Sequence, residues 1–114
     1  PVPITSFFPR TQRAEIDFGR IRSASQLYAL AICQRWMPGG RVVAGEYVVR
    51  NPKRSDRTPG SFKVNLRTGR WADFATGERG GDLIALAAWL HDINQAEAAK
   101  RVAGLLSLDP LVNS

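Results

Sequence analysis

The chain is short of the residues that most small cation-binding or catalytic domains depend on. Of 114 residues one is cysteine, Cys33, and one is histidine, His91. A lone cysteine excludes an internal disulfide, and a lone histidine excludes a histidine-paired metal site or a Ser–His type triad. Cys33 lies among Leu30, Ala31, Ile32 and Trp36, the setting of a buried structural thiol rather than a reactive one. No apolar run approaches the roughly 18–20 residues that a membrane-spanning helix needs, and no basic-then-apolar leader opens the sequence. The default expectation is a soluble, cytoplasmic protein without membrane or small-molecule partners.

What is present is apolar content of 44%, enough for one modest core, and a formal net charge of +6. That charge is unevenly placed. Residues 41–80 hold nine basic side chains (Arg41, Arg50, Lys53, Arg54, Arg57, Lys63, Arg67, Arg70, Arg79) against Glu46, Asp56, Asp73 and Glu78, whereas residues 81–114 are net acidic. A basic middle segment is a candidate surface for a polyanion.

The local pattern reads α-β-α. Residues 1–22, with prolines at 1, 3 and 9, are expected to form an extended arm. Ser23 or Ser25 can cap a first helix that runs to about Trp36, with Leu27, Leu30, Ala31 and Cys33 or Gln34 as its stripe, and "MPGG" stops it. "RVVAGEYVVR" alternates as a strand with Gly45 a candidate bulge. "SFKVNL" and "RWADF" follow as short strands joined by "RTG" in a tight turn. Phe62, Val64 and Leu66 should face the core. On "RWADF", Trp71 and Asp73 share one face and Arg70, Ala72 and Phe74 the other, so one large aromatic is expected on the outer side. Outward Trp71 or Phe74 among Lys and Arg would form a platform for stacking bases.

"GGDLIALAAWLHDI" begins an apolar helix with Asp82 as N-cap, and Asn94 with Glu97 three residues on starts another. The two make an αα-hairpin. "GERGG" before a helix invites comparison with a phosphate cradle, but an acid at the N-cap takes the same N–H donors and repels an anion. The acids of the middle segment are interleaved with arginine, which makes ion pairing their default role. No catalytic constellation emerges, so an enzyme is not expected.

The run from Arg50 through "RNPKRSDRTPGSFKVNLRTGRWADFATGERGGDLIALAAWLHDI" and the helix after it resembles the N-terminal zinc-binding domain of bacterial and phage DNA primases. That family's wording is roughly Cys-Pro-x-His, Thr-Pro-Ser-Phe-x-Val-Asn, Cys-Phe-x-Cys, Gly-Gly-Asp, then two helices. The resemblance spans about residues 41–108 and rests on Pro52, Thr58, Pro59, Ser61, Phe62, Val64, Asn65, Gly69, Trp71, Phe74, Gly77, Gly80, Gly81 and Asp82. Gly60, and one residue among Glu78 and Arg79, are insertions. It also looks like the domain at the front of plasmid and phage primase-helicase polypeptides.

The resemblance implies an α+β fold: a small antiparallel sheet, zinc-ribbon-like but without metal, flanked by an N-terminal helix and a C-terminal helical hairpin. It implies an arm over 1–22, a module over 23–108 and a tail over 109–114. The four ligand positions of the family fall on Asn51, Arg54, Asp73 and Thr76, which are not a zinc set, and an Arg54–Asp73 bridge is expected in the metal's stead. No cofactor is expected. The implied role is a non-catalytic module that binds single-stranded DNA during replication through Arg50, Lys53, Arg57, Lys63, Arg67, Arg70, Trp71, Phe74 and Arg79. It would work beside a primase catalytic domain or replicative helicase. The competing reading is a module that docks on such a partner through the arm and Trp36 or Trp89 without touching DNA.

Overall fold

A computed structural model describes residues 15–53 and 61–112. Within them four helices and five strands form an α+β fold: α1 (Phe18–Leu27), α2 (Ala29–Trp36), β1 (Arg41–Val43), β2 (Glu46–Val49), β3 (Phe62–Asn65), β4 (Trp71–Asp73), β5 (Arg79–Gly80), α3 (Leu83–His91) and α4 (Gln95–Leu105). The strands make one antiparallel meander in the order β1-β2-β3-β4-β5. The helices cover one face of it.

Two clusters share the core. Ile32, Cys33 and Met37 of the α2 region meet Tyr47, Phe62, Val64 and Trp71 of the sheet and Leu83 and Leu86 of α3. Ile21 of α1 meets Ile84 and Ala87 of α3 and Ala98, Ala99, Val102 and Ala103 of α4. α3 therefore belongs to both, which is why its sequence is apolar nearly all round. The starts of α3 and α4 follow from local chemistry. The Asp82 carboxylate accepts the Ala85 N–H at 2.7 Å, and the Asn94 side chain accepts the Glu97 N–H at 2.8 Å to start α4, both as the sequence predicts.

The N-terminal half departs from expectation in two places. The first helix starts at Phe18, capped by Asp17, whose carboxylate accepts the Arg20 N–H at 3.1 Å. Neither Ser23 nor Ser25 caps it; the Ser25 hydroxyl is buried and donates back to the Arg22 carbonyl at 2.7 Å, the usual use of a serine inside a helix. The described part of the supposed arm is thus ordered onto the module. Ile16 bridges Leu111 antiparallel, Asp17 N–H donates to the Pro110 carbonyl, and the Arg20 guanidinium donates to the Asp109 and Leu111 carbonyls. The helix also breaks at Tyr28 (φ −115°, ψ 26°). That break rotates the second half, so the buried stripe is Ala29, Ile32 and Cys33, while Leu27, Leu30 and Ala31 face outward.

The "RVVAGEYVVR" strand is two strands. Ala44 (φ 50°) and Gly45 (φ 80°) form a two-residue hairpin loop between Val43 and its partner Glu46, so Gly45 is a turn residue and not a bulge. Two central residues with positive φ define the turn type whose twist suits adjacent strands. The turn between β3 and β4 is built on Asn65: its carbonyl accepts the Gly69 N–H at 2.8 Å and its side chain accepts from Arg67 and Thr68 N–H. Strand β5 lies where the sequence pattern shows only a Gly-rich connection; its Gly80 sits opposite Trp71, where an added Cβ would lie 2.5 Å from the indole nitrogen. The indole is laid flat over this glycine.

Candidate functional site

The alternation of β3 and β4 decides which side chains meet solvent. Phe62 and Val64 are fully buried and Lys63 and Asn65 are not; Trp71 and Asp73 are buried while Ala72 is half-exposed and Phe74 is 72% exposed. Trp71, one of the two aromatics considered for base stacking, is therefore a core residue. Its ring stacks on Phe62 (5.7 Å between centroids) and tilts against Trp89 (5.2 Å), and its Nε1–H donates to the Asp82 carbonyl at 3.1 Å, tying β4 to the start of α3. Phe74 is the outward one.

On the outer face the register aligns Val48, Lys63, Ala72 and Arg79 across four strands. Partners in such a row share a face, and adjacent strands lie about 4.8 Å apart. Lys63 reaches over the Phe74 ring at 5.5 Å from its centroid. With Arg70, Arg79, Asn65 and Glu46 these residues line an open groove of about 580 Å³. Three cations, one exposed aromatic and a single carboxylate thus converge on one surface. In that row Ala72 lies between Lys63 and Arg79, and Val48 lies beyond Lys63.

Other residues that the sequence assigned to this surface lie outside the groove. Arg50 is exposed at the end of β2 and Arg67 is exposed in the β3–β4 turn. Lys53 is engaged elsewhere: its Nζ donates to the Trp89 carbonyl and to the Asp92 carboxylate, each at 2.7 Å, and lies 5.1 Å from the Trp89 ring centroid. A cation at the last carbonyls of α3 complements the helix dipole. Arg57 lies outside the described residues.

The second constellation is a polar knuckle between the β2–β3 and β4–β5 connections. Asn51 and Asp73 are both buried, and the Asn51 amide donates to the Asp73 carboxylate. The Asn51 side-chain oxygen accepts the Lys53 N–H at 2.8 Å, and Asp73 accepts the Ala75 N–H at 2.8 Å. Burial alone would raise the Asp73 pKa. Hydrogen bonds from the Asn51 side chain, the Ala75 N–H, the Ser61 side chain and the Thr76 N–H outweigh it and hold the carboxyl below its ordinary value. The Thr76 hydroxyl is exposed and donates to Glu78 at 3.1 Å. Arg54, and with it the expected Arg54–Asp73 bridge, lies outside the described residues.

Structural zinc wants four thiolate or imidazole ligands in a tetrahedron. Here Asn51 offers an amide already paired, Asp73 a carboxylate saturated by donors, and Thr76 a hydroxyl turned to Glu78. Among the described residues no three His, Cys, Asp or Glu side chains stand together. The donors at these three positions do not fit the metal.

The lone cysteine and the lone histidine are poorly placed for nucleophile or base chemistry. Cys33 is fully buried, and burial pushes its thiol up to about 12. His91 ends α3 edge-on to Trp36, with 5.8 Å between centroids; burial, then the Arg101 charge, lower its pKa. The two tryptophans considered for partner docking are likewise engaged. Trp36 carries that contact with His91, and Trp89 stacks on Phe62 while its Nε1–H donates to Glu78 at 2.7 Å. Among the described residues no helix is long and apolar enough to cross a membrane.

No family model matches the chain, and no curated protein matches it. Among solved structures the chain is similar to the crystal structure of the Aquifex aeolicus primase comprising zinc-binding and RNA polymerase domains, with a TM-score of 0.65 and 22% identity over 88% of this chain. The matched part is 23% of that primase chain. At this identity the likeness speaks for the fold: the meander of five strands and its helices have the architecture of part of a bacterial primase.

Proposed function

We propose that this chain is a non-catalytic module that binds single-stranded DNA across the outer face of its sheet, in the service of primer synthesis during replication. The observation that carries the reading is the groove where Lys63, Arg70 and Arg79 surround the exposed Phe74. Cations at intervals along a sheet follow the phosphates of a strand, and an exposed aromatic among them offers a π-face to any base. Fold likeness to part of a primase agrees with such a role, the chemistry of polymerisation coming from a partner domain. On the same reading the Asn51–Asp73 pair does the structural work that a metal does in zinc-bearing relatives of this fold, holding the two connections together without a cation.

The test is the triple variant Lys63→Gln, Arg70→Gln, Arg79→Gln, with binding to an oligo(dT) followed by fluorescence anisotropy over a salt series. Each lost phosphate contact should lower the log–log salt slope by about 0.7, so the triple variant should lose about 2 units. Its thermal melt should stay close to that of the parent, because all three side chains lie at the surface. Unchanged affinity and slope in a folded variant would remove this face as the site.

A further inference from the structure

The helix break at Tyr28 has a consequence on the opposite side of the molecule from the chemistry of the sheet row. It leaves Leu27 81%, Tyr28 57% and Leu30 37% exposed, three large apolar side chains within four residues. Scattered apolar residues on a surface need no explanation, but one that lines an apolar groove, as Tyr28 does and Leu27 and Leu30 do not, marks a contact site. Such a groove is present. Tyr28, Ala31, Ile32 and Arg35, one ridge of α2 at the i, i+3, i+4, i+7 spacing, face Leu105 and Leu106 at the end of α4 across about 480 Å³. Leu105 and Leu106 are only half-buried, although their positions in α4 continue the stripe of Ala98 and Val102.

The rim is basic. Arg35 stands in the lining, and exposed Arg101 lies one turn before Leu105 on α4. Neither makes an ion pair among the described residues, and Glu97 on the same helix is taken by Lys100 at 3.3 Å. No acid lines the groove. An apolar slot between two helices, with Arg35 in its lining and Arg101 on the adjoining turn of α4, neither ion-paired among the described residues, is complementary to an apolar segment that carries carboxylates.

We infer that this groove docks an acidic amphipathic segment of a protein partner, with apolar side chains seated between α2 and α4 and carboxylates on Arg35 and Arg101. A lipid surface fits less well because the apolar face is a concave slot, whereas membrane-surface helices present a convex one. A second copy fits less well because the chain carries a net charge of +6 and repels itself. The groove shares no lining residue with the sheet groove, so this inference stands independently of DNA binding.

The probe is a capped helical peptide of roughly 16 residues with leucines on one face and glutamates flanking them, set against its isomer with lysine at every glutamate, a length matching about four turns. Titrated into 15N-labelled protein, the acidic probe should shift the amides of Tyr28, Ala31, Arg35, Leu105 and Leu106 and bind at least about tenfold more tightly than the lysine isomer. The double variant Arg35→Glu, Arg101→Glu should reverse that preference, a result that misfolding cannot produce. Tyr28→Ser should weaken the probe while leaving oligo(dT) affinity unchanged, which separates failure here from failure of the DNA reading. Equal binding of both isomers, shifts confined to the sheet, or a charge-swapped variant that keeps the parent preference would overturn the inference. So would Tyr28-dependent dimerisation in sedimentation equilibrium, or Tyr28-dependent pelleting with phosphatidylserine–phosphatidylcholine vesicles in place of peptide binding.

Discussion

The two faces of the sheet are built from alternate residues of the same strands and do opposite work. Inward, Phe62, Trp71 and Trp89 stack within 5.2 to 5.7 Å of one another over Gly80, and the indole is anchored to the start of α3. Outward, at intervening positions, Lys63, Arg70, Arg79 and Phe74 stand around an open groove. The inner face holds the helices to the sheet; the outer face does not. A tryptophan and a phenylalanine three positions apart thus differ entirely in what their loss should do.

The sharpest way to break this comparison is to truncate both aromatics. Trp71→Ala should cost about 3–5 kcal/mol of stability, the range for a large aromatic removed from a packed core. Phe74→Ala should leave the melting midpoint nearly unchanged and weaken oligo(dT) binding by about 1–3 kcal/mol without altering the salt slope, since a stack releases no counterions. Urea denaturation and anisotropy on both variants give the four numbers. A stable Trp71→Ala, or a Phe74→Ala that unfolds, would mean the faces are assigned the wrong way round.

Next in size is the knuckle. Asp73→Ala would strand the buried Asn51 amide and unpair the N–H groups of exposed Ala75 and Thr76, at about 1–3 kcal/mol. The pH dependence has a definite sign. The Asp73 carboxyl titrates lower in the folded protein than its ordinary value of 3.8, so the ionised form stabilises the fold above that value. That contribution is lost as pH falls below it, through the folded value. Asp73→Asn should therefore be less stable than the parent at pH 7, and the gap should narrow below about pH 4. In a double-mutant cycle with Asn51→Ala the two losses should be less than additive. A gap that stays constant down to pH 2.5 would mean that Asp73 is not the carboxylate responsible.

How much of this was legible in the sequence depends on how local each determinant is. The Asp82 and Asn94 caps were readable because a cap needs only a side chain and the N–H groups of the next turn. The in-and-out pattern of β3 and the face shared by Trp71 and Asp73 were readable because the strand period is two. What alternation could not decide was which face of β4 the helices cover, since Trp71 and Phe74 are equally apolar. The Ala44–Gly45 turn was hidden because apolar residues continue through it, and an alanine at positive φ carries no turn signal. The break at Tyr28 separates α1, whose Ile21 packs among α3 and α4, from α2, which packs toward the sheet, a tertiary division that no window of sequence contains. The Asn51–Asp73 bond joins residues 22 positions apart, beyond any local window; the resemblance to primase domains points to both positions but pairs Asp73 with Arg54.

The smallest expected effect tests the edge of the comparison. Lys53 lies in the basic segment and was grouped with the phosphate-binding cations, yet its ammonium is bound to the Trp89 carbonyl and Asp92 at the end of α3 and lies over the Trp89 ring. Its Asp92 partner is 79% exposed, so the ion pair is worth little beyond the range of surface bridges. Lys53→Met keeps the aliphatic stem and removes the charge. It should lower stability by about 0.5–1 kcal/mol at low salt, with most of the difference gone at high salt, where such pairs are screened. The same variant should leave the salt slope of oligo(dT) binding unchanged, while Arg79→Gln alone should lower it by about 0.7. If instead Lys53→Met melts like the parent and loses that slope, the ammonium leaves α3 to meet the phosphates. The DNA path would then extend past the groove toward the β2–β3 connection.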